Sequence, residues 1–401
     1  MNRLIAALAA LALAPAALAQ EEVDTAALAG KVASIEEQLI ELKGDVASAK
    51  KLKFSGYVQA RWEWQESAAN AYNLTPEAAP SQQGFHIRRG RFKAAYDADW
   101  SQYVVQIDVT PSGVGIKEGY ATIKLPKGFA IDAGLQLFPF GYEVYSRSSS
   151  DLDTLERAAV TRAFLAGEYD LGVALRGKLD IVNFKVGVFN GNGIDSGQSG
   201  RDNDQLKDVI GRATIDMGMF TAGASGWYGK TINYARADDK EYDRLRYGAD
   251  LQVFLDLLPF GGTAVKGEYI WGRTTIGTAG SATAVPRTDN GGAGGNLPGL
   301  TSSDPVPTGS GWYALVTQNV GPYNQLAARY ESYRRDHTVD TGSASTAVKE
   351  AREVQLALHT FIGGNTKLSA AWFHPMNGEK GGAAPSDPET DRFIVQAQAK
   401  F

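Results

Sequence analysis

Positive charges spaced two residues apart give this chain its clearest capacity for chemistry. In the stretch 85–100, FHIRRGRFKAAYDADW, an extended backbone puts Phe92, Ala94, Tyr96, Ala98 and Trp100 on one side. Arg89, Arg91, Lys93, Ala95, Asp97 and Asp99 fall on the other. Arg61, Lys124 and the pair Arg244 and Arg246 lie on the polar side of their own alternating segments. A guanidinium is a planar fork of donors suited to phosphate oxygens, and a line of such sites lets an anion step along without one deep well. The competing reading is that these cations pair with carboxylates on neighbouring segments and stiffen the wall. Cations outnumber acids on the polar sides only modestly, so charge counting by itself sets no selectivity.

Catalysis finds little support. There are four histidines, His86, His337, His359 and His374, none at metal-ligand spacing, and no cysteine. GGAGGNLPG at 291–299 does not join a strand to a helix, so it reads as flexible loop rather than a phosphate cradle. The acidic run GIDSGQSGRDND at 193–204 lacks a full calcium ligand register. We expect no catalytic site, metal or cofactor. The net charge of -5 argues against nucleic acid as a partner.

The elements that must position the cations are strands. From residue 53 to the end, about sixteen alternating segments recur: 53–65, 85–100, 102–110, 116–125, 129–138, 168–178, 181–190, 207–217, 220–229, 243–254, 262–272, 311–319, 324–333, 351–361, 366–374 and 391–401. Their connections alternate short and long, with 111–115 short where the rhythm asks for long. An even number of tilted strands, short turns at one end and long loops at the other describe an all-β, antiparallel transmembrane barrel, apolar outside and polar within. The aromatic last residue, Phe401, fits the terminal strand of such a barrel. The third long link, FPFGYEVYSRSSSDLDTLERAAVTRAFLAG (138–167), is the candidate to fold inward and narrow the lumen. Arg147, Asp151, Asp153, Glu156, Arg157 and Arg162 would then stand at the constriction.

Two further segments precede the barrel. Residues 1–19, with Arg3, an apolar run and Ala17-Leu18-Ala19, read as a cleaved secretory signal peptide. Within 20–52, Leu28, Val32, Ile35, Leu39, Leu42, Val46 and Ala49 step by fours and threes, the pattern of an oligomerising coiled coil.

FSGYVQARWEW (54–64), FHIRRGRFK, AGLQLFPFGYE with the later SSSDLDTLER, GVFNGNG (187–193) and the terminal strand together resemble the phosphate-selective porin O and P family, across nearly the whole mature chain. That resemblance implies a sixteen-stranded homotrimer in the bacterial outer membrane, surrounded by its lipids. It also implies that small anions such as phosphate or polyphosphate pass an arginine ladder and a lysine cluster. Arg89, Arg91 and Lys93 fall on the matching strand. The alternatives are a general, non-selective porin and a structural, stalked barrel that tethers the envelope.

Overall fold

The computed structural model describes residues 50–66, 82–111, 113–165, 168–191, 205–232, 241–273, 308–334, 350–376 and 391–401, with a few isolated positions elsewhere. Sixteen strands follow one another: β1 (Leu52–Gln65), β2 (Gln82–Asp97), β3 (Ser101–Thr110), β4 (Gly113–Lys124), β5 (Ala130–Leu137), β6 (Tyr169–Leu179), β7 (Val182–Phe189) and β8 (Asp208–Asp216). The second half comprises β9 (Phe220–Ile232), β10 (Glu241–Leu258), β11 (Gly261–Arg273), β12 (Thr308–Val320), β13 (Asn324–Arg334), β14 (Glu350–Ile362), β15 (Thr366–Pro375) and β16 (Arg392–Lys400). Each pairs antiparallel with its chain neighbours, and β1 pairs with β16 to close the barrel. Closure leaves no sheet edge with unpaired amides and carbonyls, the condition for a sheet in a medium without water.

Phe401 seals the seam. Its backbone exchanges two 3.1 Å hydrogen bonds with Gly56. A Cβ on Gly56 would sit 2.5 Å from the Phe401 ring and 2.4 Å from the Arg91 carbonyl, so this position must be glycine for the ring to lie flat across β1.

Alternation sorts the two faces. Phe54, Val58, Phe92, Val105, Tyr247, Tyr269, Leu326, Leu356 and Val395 are exposed on the outer wall, whereas Gln59, Arg61, Arg89, Arg212, Glu268, Arg329 and Gln396 are buried within. An apolar outer surface this continuous is unfavourable in water and suited to lipid. Among the described residues no helix is long and apolar enough to cross a membrane.

Three register shifts interrupt the period among the described strands, one of them between Leu255 and Leu258 of β10 and the other two beside inward cations. Gln59 pairs with Arg89 but Ala60 pairs with Ile87, leaving Arg88 as the extra residue of β2. Gln106 pairs with Glu118 but Ile107 with Ile116, leaving Lys117 as the extra residue of β4. A bulge re-aims a side chain that alternation would send the other way. Arg88 therefore joins Arg89 on the inner face, although strict alternation places it in lipid.

The strand centres follow the sequence, while ends shift by up to four residues: β4 begins at Gly113, β10 runs on to Leu258, and β2 stops at Asp97, so Ala98, Asp99 and Trp100 form the turn into β3. The link between β3 and β4 is two residues, 111 and 112, shorter still than the exception noted in the sequence. Met1–Lys51 forms a unit of its own, apart from the unit Leu52–Phe401. The expected signal peptide and the seven expected heptad positions lie outside the described residues; the described positions Ser34, Glu37, Gln38, Lys50 and Lys51 are helical.

Candidate pore constriction

The connection between β5 and β6 lies inside the barrel. It begins at Phe138, makes a π-helical turn at Gly141–Ser146, crosses the lumen, and returns through α1 (Ala159–Phe164). Buried loops are rare because their backbone polar groups lose water, and they persist only where every group finds another partner. Here the barrel wall supplies the partners.

Apolar contacts come first. Phe138 packs edge-on against Trp227 of β9 at 5.0 Å between ring centroids, and Phe164 against Tyr333 of β13 at 6.1 Å. Phe140, Val144, Leu155 and Val160 join the same buried cluster with Ile270 and Tyr313. The wall then satisfies the loop's polar backbone. Glu268 accepts from the Tyr142 amide at 2.9 Å, and Glu331 from the Ala159 amide at 3.1 Å. Lys367 donates to the Ser150 and Leu152 carbonyls at 3.1 and 3.4 Å, and Gln398 to the Ser150 carbonyl at 3.1 Å. His359 bridges the Asp153 carbonyl and the Ser369 hydroxyl, each at 2.8 Å.

Charged latches complete the attachment. Glu156 lies 2.5 Å from Arg61, 2.9 Å from Arg88 and 3.6 Å from Arg89. Glu143 lies 2.8 Å from Arg329, Asp153 lies 2.7 Å from Lys266, and Asp151 pairs with Lys400. Burial would push the Glu156 carboxyl up, but the Arg88, Arg61 and Arg89 guanidinium groups hold it well below the usual carboxylate range. Burial opposes the Asp151 shift in the same way; the Lys400 hydrogen bond wins and lowers it.

The side chains expected to line the pore therefore separate into two groups. Arg61, Arg89 and Arg91 point inward as alternation places them, yet each is buried rather than open to the lumen. Arg61 and Arg89 are covered by the loop they hold, and Arg91 lies between Asp108 at 3.4 Å and the Tyr169 hydroxyl at 3.0 Å. Arg244 is buried against Asp208 and the Gly191 carbonyl. Arg246 is buried over the Trp227 ring at 4.2 Å. Lys93 and Lys124 remain partly open, paired with Glu118 at 2.7 Å and Asp97 at 2.6 Å. These placements share one feature: a carboxylate or ring from another element lies against each arginine.

On the loop itself, Arg147 is partly exposed beside Asp153, at 3.4 Å. Arg157 is buried against Glu168 at 3.1 Å, and Arg162 sits on α1. Arg88, Lys117 and Arg329 also face inward. The sequence reading missed the first two as inward groups, because only a bulge turns them in. The Arg-Arg-Gly run at 88–90 is the one local hint, since a glycine within a strand marks a possible bulge.

The loop rests on β9–β16, β1 and β2. Its free edge is Tyr145 to Ser148, with Ser146 and Ser148 exposed. Facing this edge are inner-wall residues Lys93, Tyr120, Arg176 and Lys185, the last over the Tyr145 ring at 5.7 Å.

A closed barrel of sixteen antiparallel strands with one loop folded into its lumen is the porin fold. Within this chain, residues 58–224 match the family of phosphate-selective porins O and P. That span takes in the arginine-bearing second strand, the inward loop and the FNGNG turn; the terminal strand lies beyond it.

Solved structures agree on the architecture. The chain is similar to an anion-selective porin from Comamonas acidovorans, with 13% identity over 87% of this chain and 99% of the other, TM-score 0.59. It is similar to the trimer form of the outer membrane protein OmpT of Vibrio cholerae, with 13% identity over 87% and 99%, TM-score 0.58. It is also similar to the outer membrane channel DcaP of Acinetobacter baumannii, with 11% identity over 87% and 97%, TM-score 0.55. At such identities the likeness is one of fold. No curated protein matches in sequence.

Proposed function

We propose that this protein is a general outer-membrane porin, a water-filled channel through which small hydrophilic solutes diffuse passively. The observation that carries this reading is the inward loop. It folds into the barrel and is fixed to the wall by a set of hydrogen bonds and ion pairs, which in this reading narrows the lumen to a polar passage. The stalked-tether reading gives such a narrowed lumen no role.

Strict phosphate selectivity draws less support than general diffusion. The arginines best suited to a phosphate relay, Arg61 and Arg89, share one carboxylate, Glu156, and are 3% and 4% exposed. A guanidinium already engaged and covered offers a passing anion few free donors. In this reading residues 1–19 export the chain and are removed, and the heptads within 20–52 hold three copies together in the envelope.

Purified protein in planar bilayers should give discrete conductance steps that rise in proportion to salt concentration. It should also let uncharged pentoses swell proteoliposomes. A current that saturates at low salt and is blocked by phosphate would replace this reading with a phosphate-selective one, and an absence of steps would overturn the channel altogether.

A further inference from the structure

We propose that a phosphorylated glycolipid of the outer leaflet binds the outer wall of this barrel, with an acyl chain in a groove over β12–β16 and a phosphate on Arg352. The site faces lipid rather than the lumen, so it goes beyond the question of what the channel passes.

A groove of about 470 Å³ crosses the outer face of these five strands. Strand register explains the hollow. Ala328 stands between Val316 and Leu356 in one cross-strand row, and Ala370 stands beside Leu358 in the next. Each methyl group forms a floor between longer side chains, and Trp372 walls the groove toward β16.

Polar groups stand above it on the same face, toward the end of the barrel that carries the long links. Arg352 lies 2.7 Å from Glu350, and their side chains are 44% and 31% exposed. Glu350 also accepts from the Ser332 hydroxyl at 2.5 Å, and Arg334 stands opposite it on β13. His374 lies 2.7 Å from Asp391, which accepts from the Trp372 indole at 2.9 Å. The Trp372 and His374 rings stack at 5.1 Å, so one flat surface runs from the groove to the polar rim.

The spacing suits a lipid. Leu356 follows Arg352 by four residues. On a strand tilted roughly 40° that is a descent of about 10 Å. The headgroup layer on one side of a bilayer is roughly 5–8 Å deep, so a head that meets Arg352 delivers its chain to the groove. An exposed ion pair gains little in water, so Arg352 can exchange Glu350 for a phosphate, whose oxygens match its fork of donors. Glu350 and Asp391 accept only, which suits the hydroxyls of a sugar ring. A second copy of the chain is the poorer occupant, because it would bury these exposed charges, and charged residues are depleted at the core of protein interfaces.

Native mass spectrometry of the folded protein tests the site with three probes: a bis-phosphorylated, acylated diglucosamine lipid, its dephosphorylated form, and phosphatidylethanolamine. Wild-type protein should retain the first at several-fold lower concentration than either of the others, and inorganic phosphate should not displace it. Arg352→Gln should weaken retention of the phosphorylated probe several-fold and leave the dephosphorylated form nearly unchanged. Ala328→Phe with Ala370→Phe fills the groove and should weaken both glycolipids; if that variant folds poorly, Ala370→Leu alone should act in the same direction by a smaller factor. Single-channel conductance should persist in the variants, since all three positions lie outside the lumen. Equal retention of the three probes, displacement by inorganic phosphate, or unchanged retention in the variants overturns the proposal. Loss of the oligomer on filling the groove, with lipid retention intact, assigns the groove to a second copy and also overturns it. Wild-type protein that binds the glycolipid but gives no channels removes the porin reading and leaves the lipid site standing.

Discussion

Replacing Glu156 with alanine is expected to detach the third loop from the wall and raise single-channel conductance. The carboxylate is shared by Arg61, Arg88 and Arg89, and all four side chains are almost wholly buried. Removing one member of a buried ion cluster costs about 3–5 kcal/mol, because the charges left behind have neither water nor a counterion. The loop has an alternative that restores hydration: it can lift away and expose the three guanidinium groups to the lumen. Open-channel current should grow and become noisier, and amides of residues 148–158 should exchange faster with solvent. Glu156→Gln keeps the shape but not the charge, so it should fall between the two.

Acid should reproduce the effect only at extreme pH. The Glu156 carboxyl is held well below its usual range, so the latch contributes fully above the ordinary carboxylate pKa of about 4.3 and is lost only as pH falls through the depressed value. Conductance should therefore be level through mildly acidic pH. Wild-type conductance in the alanine variant, or a transition near the ordinary carboxylate pKa, would show that Glu156 does not hold the loop.

The second large effect concerns the barrel's stability. Arg329 is fully buried between Glu143 of the loop, at 2.8 Å, and Glu331 of its own strand, at 3.0 Å. It also donates to the Thr154 hydroxyl at 2.9 Å. Arg329→Ala leaves two carboxylates facing each other in a dry site, again about 3–5 kcal/mol. The temperature at which the folded band converts to the slower unfolded band in detergent gels should drop clearly. Arg329→Met combined with Glu143→Gln and Glu331→Gln removes the stranded charges and should recover much of the loss. A single variant as heat-resistant as wild type would contradict this account of the site.

How far the sequence reached depended on the range of each interaction. Strand positions follow from a period of two, which is local, and the short-long rhythm of links places the strands in one barrel. The inward loop was legible from its length and its place between the fifth and sixth segments. Arg88 and Lys117 were not, since a bulge is decided by how two strands register against each other, not by either strand. The fate of the arginines was hidden for a similar reason. Arg61 and Arg89 face inward as alternation says, but what they meet there is Glu156, contributed by a loop far along the chain. Their residue types are right for an anion path, and a carboxylate supplied by the fold occupies them. Arg176 and Lys178, less conspicuous in the sequence, stay partly open.

The central claim is that the loop edge at Tyr145 to Ser148 borders the conducting path while the rest of the loop is locked to the wall. The chain has no cysteine, so single thiols can be placed without background. Ser146→Cys puts one on the exposed edge, and Val316→Cys puts one on the outer wall as a control. Treatment with a bulky sulfonate-bearing thiol reagent during bilayer recording should sharply reduce the current through Ser146→Cys channels and leave Val316→Cys channels unaffected. Complete modification of Ser146→Cys, verified by mass, with no change in current would contradict the account.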